Sequence, residues 1–151
     1  MFRYPSKTKS FESADAAAQR RGVIAALALA VVFVAPQLVT VSRAVVNVPV
    51  SAVAVAWGRT HGGTCEVHGD LMVTCESMDG GYTNAGTTVG NVWLYGDLGG
   101  AERHRHESRH SDQWAMFGLA FPALYGAESV RTDGDFHQNV FERWAGLHDG
   151  G

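Results

Sequence analysis

The apolar positions of the chain are concentrated in one uninterrupted run near its N-terminus. From Gly22 to Ser42 no side chain is ionisable, and Arg20, Arg21 and Arg43 close the run. About 20 consecutive apolar residues cross a bilayer as a helix, the form in which a lone segment satisfies its backbone in lipid. The pattern predicts a transmembrane helix over residues 20–43, with lipid around residues 22–42.

Two other interpretations of the apolar run stay open, a cleaved signal peptide and a buried core helix of a soluble protein, although 21 uncharged residues exceed an ordinary core helix. A cleaved signal peptide would have a shorter apolar stretch and a small-residue cleavage site soon after it. Residues 44–58 are again uncharged, but with Asn47 and Pro49 they are short for a second crossing. We expect residues 44–63 to connect the span to a domain, lying at the membrane surface or packing on the domain, with Trp57 as an interface anchor. A helical hairpin through the membrane is the alternative.

The basic residues predict the orientation of the span. Five of them precede it, and only Arg43 and Arg59 follow closely: Arg3, Lys7, Lys9, Arg20 and Arg21 come first. Since cytoplasmic flanks carry the excess of Lys and Arg, residues 1–19 are predicted to be a mobile cytoplasmic tail. Residues 64–151 then form an extracytoplasmic domain of a single-pass protein of the cell membrane.

Beyond residue 63 the pattern changes to short strands and amphipathic helices. Residues 65–75 predict a hairpin with a turn at 68–70, which places Cys65 opposite Cys75. Outside the cytoplasm this pair can form a disulfide, and two separate thiols are the alternative. Further elements are predicted over 87–95 (strand), 102–117, 123–131 and 136–147 (helices). The predicted fold class is α+β, with antiparallel strands followed by two principal helices.

Composition and charge narrow the possible partners. The formal net charge is −3, and no basic patch is interleaved with aromatic residues, so we expect no nucleic-acid partner.

The cluster His106-Glu107-Ser108-Arg109-His110 lies within the predicted helix 102–117. Histidines four residues apart lie on one helix face, where both imidazoles can reach one metal ion. On a helical wheel they share that face with Gln113, Trp114 and Phe117. The spacing predicts a zinc site with Glu107 as general base, the alternative being a solvated basic helix face.

A third metal ligand must come from elsewhere. The candidates are all downstream: Glu128, Asp135, His137 and Glu142. On the predicted last helix Glu142 lies away from the apolar stripe of Phe136, Val140 and Leu147, so a solvated surface glutamate is the alternative for it.

HESRHSDQW resembles the HExxHxxQ helix of small bacterial zincin-like peptidases, and residues 139–145 resemble the second-helix motif of gluzincins. The stretch from about Met72 to Gly151 also resembles small membrane-anchored proteins of actinobacteria. The resemblance implies a zincin-like domain with His106, His110 and Glu142 as zinc ligands and Glu107 as general base. It further implies that strand 87–95 lines a cleft where an extended peptide pairs with it.

Three functions follow as hypotheses. The first is a membrane-anchored zinc metallopeptidase acting on peptides or envelope proteins, for which Tyr125 and His137 are candidate transition-state donors. The second is a catalytically silent accessory or scaffold subunit of a bacterial envelope membrane complex, which the small size of the domain favours. Metal storage through His104, His106 and His110 is the third, and it leaves Glu107 unexplained.

Overall fold

The computed structural model describes residues 8–81, 86–96 and 101–147. A long helix, α1, is followed by a four-stranded sheet and three further helices. The elements are α1 (Thr8–Thr60), β1 (Thr64–Val67), β2 (Val73–Glu76), β3 (Thr87–Val89), β4 (Val92–Leu94), α2 (Ala101–Phe117), a 3-10 turn (Gly118–Ala120), α3 (Phe121–Arg131) and α4 (Val140–Ala145). The chain divides after Val39 into two compact units, and the sheet and later helices belong to the second.

α1 carries the apolar run. Within the described residues it is the one helix long and apolar enough to cross a membrane, and the stretch that meets this condition is Ala35–Thr60. The predicted span 22–42 overlaps this stretch from Ala35 to Ser42. α1 also includes residues 8–19 of the predicted tail, whose residues 1–7 lie outside the described part, and continues through residues 44–60 of the predicted connector.

The sheet has the strand order β1-β2-β4-β3. β1 and β2 are antiparallel, as are β3 and β4, but β2 and β4 are parallel. The sheet is therefore mixed, and the prediction of purely antiparallel strands was wrong in this respect. After β2 the chain forms β3 at the far edge of the sheet. It then turns back and places β4 between β2 and β3, so β4 runs parallel to β2.

The first hairpin and its disulfide are confirmed. Cys65 and Cys75 are directly opposite each other in the register of β1 and β2, with Cα atoms 4.0 Å apart, and their sulfurs are bonded. Cys75 is fully buried, whereas Cys65 is half-buried. The bridge thus ties the edge strand β1 to the interior of the sheet.

The predicted strand 87–95 is divided into β3 and β4 by a tight turn at Gly90 and Asn91. Gly90 has a φ of +64°, and a Cβ there would come within 2.5 Å of Ser51 Oγ on α1. The Asn91 amide donates to the same Ser51 oxygen. The turn is therefore held by α1, a tertiary contact that no local pattern of strand-forming residues reveals.

The sheet lies between α1 and α2. On one face, Ala54 of α1 packs against Cys75, Val92 and Leu94. A Cβ at Gly58 would lie 2.8 Å from the Cys75 Cβ, so this glycine lets α1 approach β2 closely. On the other face, β3 and β4 contact α2. The sheet thereby positions α2 over the edge strand β3.

The helices after the sheet follow the predictions until the last one. α2 ends at Phe117 as expected, where Gly118 has a φ of +57°. α3 begins at Phe121, two residues before the predicted start, because Pro122 is well placed in a first helical turn.

α4 is shorter than the predicted helix 136–147. The side chain of Asn139 caps it by accepting a hydrogen bond from the Phe141 amide, so the helix begins at Val140. The predicted apolar stripe assumed a helix that includes Phe136, but α4 begins at Val140. Phe136 and Val140 are about half exposed, and Glu142 is the buried side chain, at 8% exposure.

Candidate metal centre

α2 presents its histidines to the interior of the second unit. The buried side chains on this helix are His106, Glu107, His110, Ser111, Gln113 and Trp114. Arg105 and Asp112 on the opposite side are exposed, and so is Arg109 at the edge of the inward face. The 3.6-residue period of α2 therefore places both histidines, and the glutamate between them, on the side that faces the sheet and α4.

Three side chains converge at the centre of this face. The Nε2 atoms of His106 and His110 are 3.0 Å apart. Glu142 on α4 brings Oε2 to 3.0 Å from His106 Nε2 and Oε1 to 3.5 Å from His110 Nε2. The three residues are buried, and their ligand atoms lie within 4.8 Å of one another, so the group could hold a metal ion.

The outer nitrogens of both imidazoles have fixed partners. His106 Nδ1 donates to the carbonyl of Gly146, at 3.2 Å. His110 Nδ1 lies 2.8 Å from Gln113 Oε1, while Gln113 Nε2 donates to the Phe141 carbonyl. Since the amide nitrogen of Gln113 is used elsewhere, its oxygen accepts the proton of His110 Nδ1. Both rings therefore carry a proton on Nδ1, and in their neutral form they turn an unprotonated Nε2 inward.

When both histidines are neutral, their two Nε2 atoms and the Glu142 carboxylate oxygens are all hydrogen-bond acceptors. Two imidazole lone pairs and two carboxylate oxygens face one another in a buried space. Lone pairs at such distances repel unless a proton or a cation lies between them. The donor set fits a metal ion for this reason, in addition to its spacing.

The pKa values of the clustered groups also favour a positive charge at the centre of the cluster. Burial alone would lower the pKa of His110, but the hydrogen bond and charge of Glu142, with the charge of Glu107 and the hydrogen bond of Gln113, raise it above 6.5. Burial would likewise raise the pKa of Glu142, yet hydrogen bonds with His106, His110 and Tyr125 hold it well below 4.5. The carboxylate is thus kept charged, and a proton is attracted to the histidines.

Glu107 lies beside this cluster and is held by β3. The hydroxyl of Thr88 donates to Glu107 Oε2 at 2.6 Å, and Trp114 Nε1 donates to the Thr88 carbonyl. Thr88 thereby fixes both the carboxylate and the helix that carries it relative to the edge strand.

A cleft of about 730 Å³ opens over the cluster. It is bordered by β3 on one side and by the start of α3 on the other, and the three clustered residues and Glu107 form part of its wall. The remaining lining residues include Gly86, Thr87, Thr88, Val89, Arg103, Trp114, Phe121, Pro122, Tyr125 and Phe136. The cluster is therefore accessible from one direction although its ligand atoms are buried.

The candidate transition-state donors lie in different places. Tyr125 lines the cleft and donates from its hydroxyl to Glu142 Oε1. His137 is exposed, stacks on Phe136 and is absent from the cleft wall within the described part of the chain. The structure thus brings Tyr125, and not His137, to the cluster.

The other candidate ligands have structural partners of their own. A hydrogen bond from Arg131 lowers the pKa of Glu128 to about 2, and Glu128 also accepts from the Val140 amide at the start of α4. Asp135 accepts from the His137 amide. His104 lies against His68 and 3.8 Å from Asp70. None of the three belongs to the cluster formed by Glu142 and the two histidines.

Two residues that orient the site were not found from the sequence. Gly146 contributes only its carbonyl, and Thr88 is an ordinary strand residue in a β-branched segment. Gln113, in contrast, had a signal: it lies on the inward face of the helix and is the glutamine of the HExxHxxQ pattern.

No family model matches the chain, and neither a curated protein nor a solved structure does.

Proposed function

We propose that this chain is a membrane-anchored zinc metallopeptidase whose domain lies outside the cell membrane. The observation that carries the proposal is the buried cluster of His106, His110 and Glu142, with Glu107 beside it in an open cleft. Ligand atoms around one tetrahedral zinc ion at 2.0–2.1 Å lie about 3.3 Å from one another. In the cluster the two Nε2 atoms are 3.0 Å apart, and each lies 3.0 or 3.5 Å from one of the two Glu142 oxygens, which supports this assignment.

Each residue has one role in this proposal. When bound, zinc supplies a Lewis acid and lowers the pKa of a water to about 7. Glu107 takes the proton of the attacking water and passes it to the leaving amine. Thr88 keeps the Glu107 carboxylate in place, and Tyr125 positions Glu142 by donating its hydroxyl proton to Oε1.

The cleft removes the objection that so small a domain has no room for a substrate. Its volume of about 730 Å³ falls in the range of ligand-binding clefts. An extended peptide would lie along β3, the edge strand of the sheet. Because the Thr88 carbonyl already accepts from Trp114, the peptide would pair with neighbouring backbone groups.

Substitution of Glu107 by glutamine tests the proposal. The amide keeps the shape of the side chain but cannot accept the proton. We expect the purified Glu107→Gln protein to retain its zinc and to lose hydrolysis of a quenched fluorescent peptide library by roughly 10²–10⁴-fold. Glu102→Gln, the same change at an exposed position in the first turn of α2, is the matched control. Full complementation of a deletion strain by Glu107→Gln would indicate the accessory or scaffold role instead.

The orientation of the chain is tested separately. The basic residues before the apolar run place the N-terminus in the cytoplasm. A reporter that is active only outside the cytoplasm should therefore work when fused after Gly151, and not when fused before Met1. The reverse pattern would contradict the proposed location of the domain.

A further inference from the structure

Residues 44–57 of α1 show an inverted distribution of polar side chains. The two polar residues of this stretch, Asn47 and Ser51, face the sheet and α2. Every side chain on the opposite face is apolar, and exposure there is high, with Val45 at 64% and Val53 at 69%. The members of this outer face are Val45, Val46, Val48, Pro49, Ala52, Val53, Ala56 and Trp57.

Such a face is not that of a helix on a water-exposed surface. A surface helix turns its apolar stripe inward and its polar residues to water. Polar side chains directed to the protein interior and apolar ones directed outward are the arrangement found in lipid. At 1.5 Å per residue the face is about 21 Å long. It is therefore a continuous apolar surface, unlike the single exposed apolar residues that are common on soluble proteins.

The sequence around the outer face also favours lipid over a second protein. The face follows the uncharged run that ends at Ser42, with only the buried Arg43 between them, and it finishes at Trp57, followed by Arg59. Tryptophan and arginine at the end of an apolar stretch are typical of the boundary between lipid and water. The stretch Ala35–Thr60 is also the part of α1 with the length and hydropathy of a membrane helix.

The inner face of the same stretch is bonded to the helix that carries the metal ligands. Arg43 Nη1 donates to the hydroxyl of Ser108, the residue between Glu107 and Arg109 in the HExxH motif, at 2.7 Å. The buried side chain of Asn47 donates to the carbonyl of Ser111, the residue after His110. The side chains of Arg43 and Asn47 thus connect α1 to the motif and to the residue after it, with no intervening element.

We propose that lipid covers the outer face of residues 44–57, so that the cleft acts on polypeptide segments lying at the membrane surface. The first clause depends on α1 alone, and the second rests on the proposed peptidase function. The substrate class is then the extended segment that adjoins a membrane anchor in another protein.

The lipid contact can be measured without any activity. The full chain carries a nitroxide at Val53→Cys, or at Val46→Cys if the first variant does not fold, in nanodiscs of phosphatidylcholine and phosphatidylglycerol. The disulfide leaves Cys65 and Cys75 unlabelled. We expect the label to be accessible to oxygen and shielded from a water-soluble nickel chelate. Glu66→Cys, on the exposed side of β1, is the control with the opposite behaviour.

Two results would overturn the lipid contact. One is full access of the nickel chelate at both α1 positions. The other is nitroxide–nitroxide broadening that disappears on dilution with unlabelled protein, which would identify a second copy as the occupant of the face.

The substrate class is tested in proteoliposomes with one peptide sequence attached to a lipid through a short or a long polymer spacer. Both substrates have the same surface concentration and differ only in their distance from the bilayer. We expect the short-spacer substrate to be cleaved about tenfold faster, because its effective concentration at the cleft is higher. Equal cleavage would contradict the membrane-surface preference and leave the peptidase intact, whereas cleavage of neither would contradict the peptidase itself.

Discussion

His106 and His110 face each other through their Nε2 atoms at 3.0 Å, and both rings carry their proton on the opposite nitrogen. While both rings are neutral, no hydrogen bond can form between the two Nε2 atoms. With the Glu142 carboxylate alongside, the pair requires a positive charge at the centre, which a proton or a metal ion can supply. The metal-free and metal-bound forms should therefore differ in which of the two occupies this position.

The ligand set leads to a prediction of metal content. We expect about one zinc ion per chain in the parent protein, because three ligands and an open position make a catalytic zinc site. Alanine at His106, His110 or Glu142 should lower the occupancy measured by elemental analysis. Glu66→Ala, which removes an exposed carboxylate on β1, should leave it unchanged. If Glu142→Ala retained full occupancy, the third ligand would lie elsewhere.

Gln113 is predicted to control zinc affinity without touching the ion. It accepts the Nδ1 proton of His110 and thereby directs Nε2 to the cluster. Gln113→Leu removes this acceptor, and loss of such a partner typically costs 10–100-fold in metal affinity. Gln113→Glu keeps an oxygen in place and should lose less. Competition with a fluorescent chelator measures both, and equal affinities in the two variants would argue against an orienting role.

The raised pKa of His110 and the lowered pKa of Glu142 predict a pH dependence. The contribution of Glu142 to the stability of metal-free protein is present above pH 4.5 and is lost as the pH falls. The contribution of His110 is present below pH 6.5 and is lost as the pH rises through its raised pKa. With a chelator present, we expect the melting temperature to be highest between these two values.

The stabilisation of the protein by zinc should increase with pH, since protons compete with zinc for the histidines. The increase in melting temperature on adding zinc should therefore grow as the pH is raised from about 6 to about 8. A zinc-induced increase that is constant over this range would contradict the assignment of histidine ligands.

Reduction of the disulfide should destabilise the domain and spare the metal. Bonding Cys65 to Cys75 closes a loop of 10 residues, for which chain entropy predicts roughly 2–3 kcal/mol. We expect a lower melting temperature in detergent after reduction, and an unchanged zinc content at temperatures below the transition. Simultaneous loss of zinc would mean that the sheet and the cluster unfold together.

The parts of the fold that the sequence predicts are those determined by local patterns. The 3.6-residue spacing of the inward-facing residues of α2, with Gly118 after them, is enough to locate the helix and its buried face. The paired cysteines around a turn are enough to locate β1 and β2. The turn at Gly90 is different, because it depends on the position of Ser51 nearly forty residues earlier.

The errors have the same origin. A stripe of Phe136, Val140 and Leu147 suggests a longer last helix with Glu142 outside, and the cap at Asn139 overrides it. The parallel pairing of β2 with β4 follows from the strand order, which no single strand encodes. The acceptor role of Gly146 belongs to its backbone carbonyl, so no side chain signals it.

α4 is held in place mainly by side chains of α2. Gln113, Arg109 and His106 each donate to a backbone carbonyl at or just after this helix, those of Phe141, Ala145 and Gly146 respectively. A helix of six residues is too short to persist alone in water. Local unfolding of α4 would therefore remove Glu142 from the cluster and break the hydrogen bond from His106 Nδ1 to the Gly146 carbonyl in one step. Escape of the ion and amide hydrogen exchange in α4 would then share one opening event and one rate.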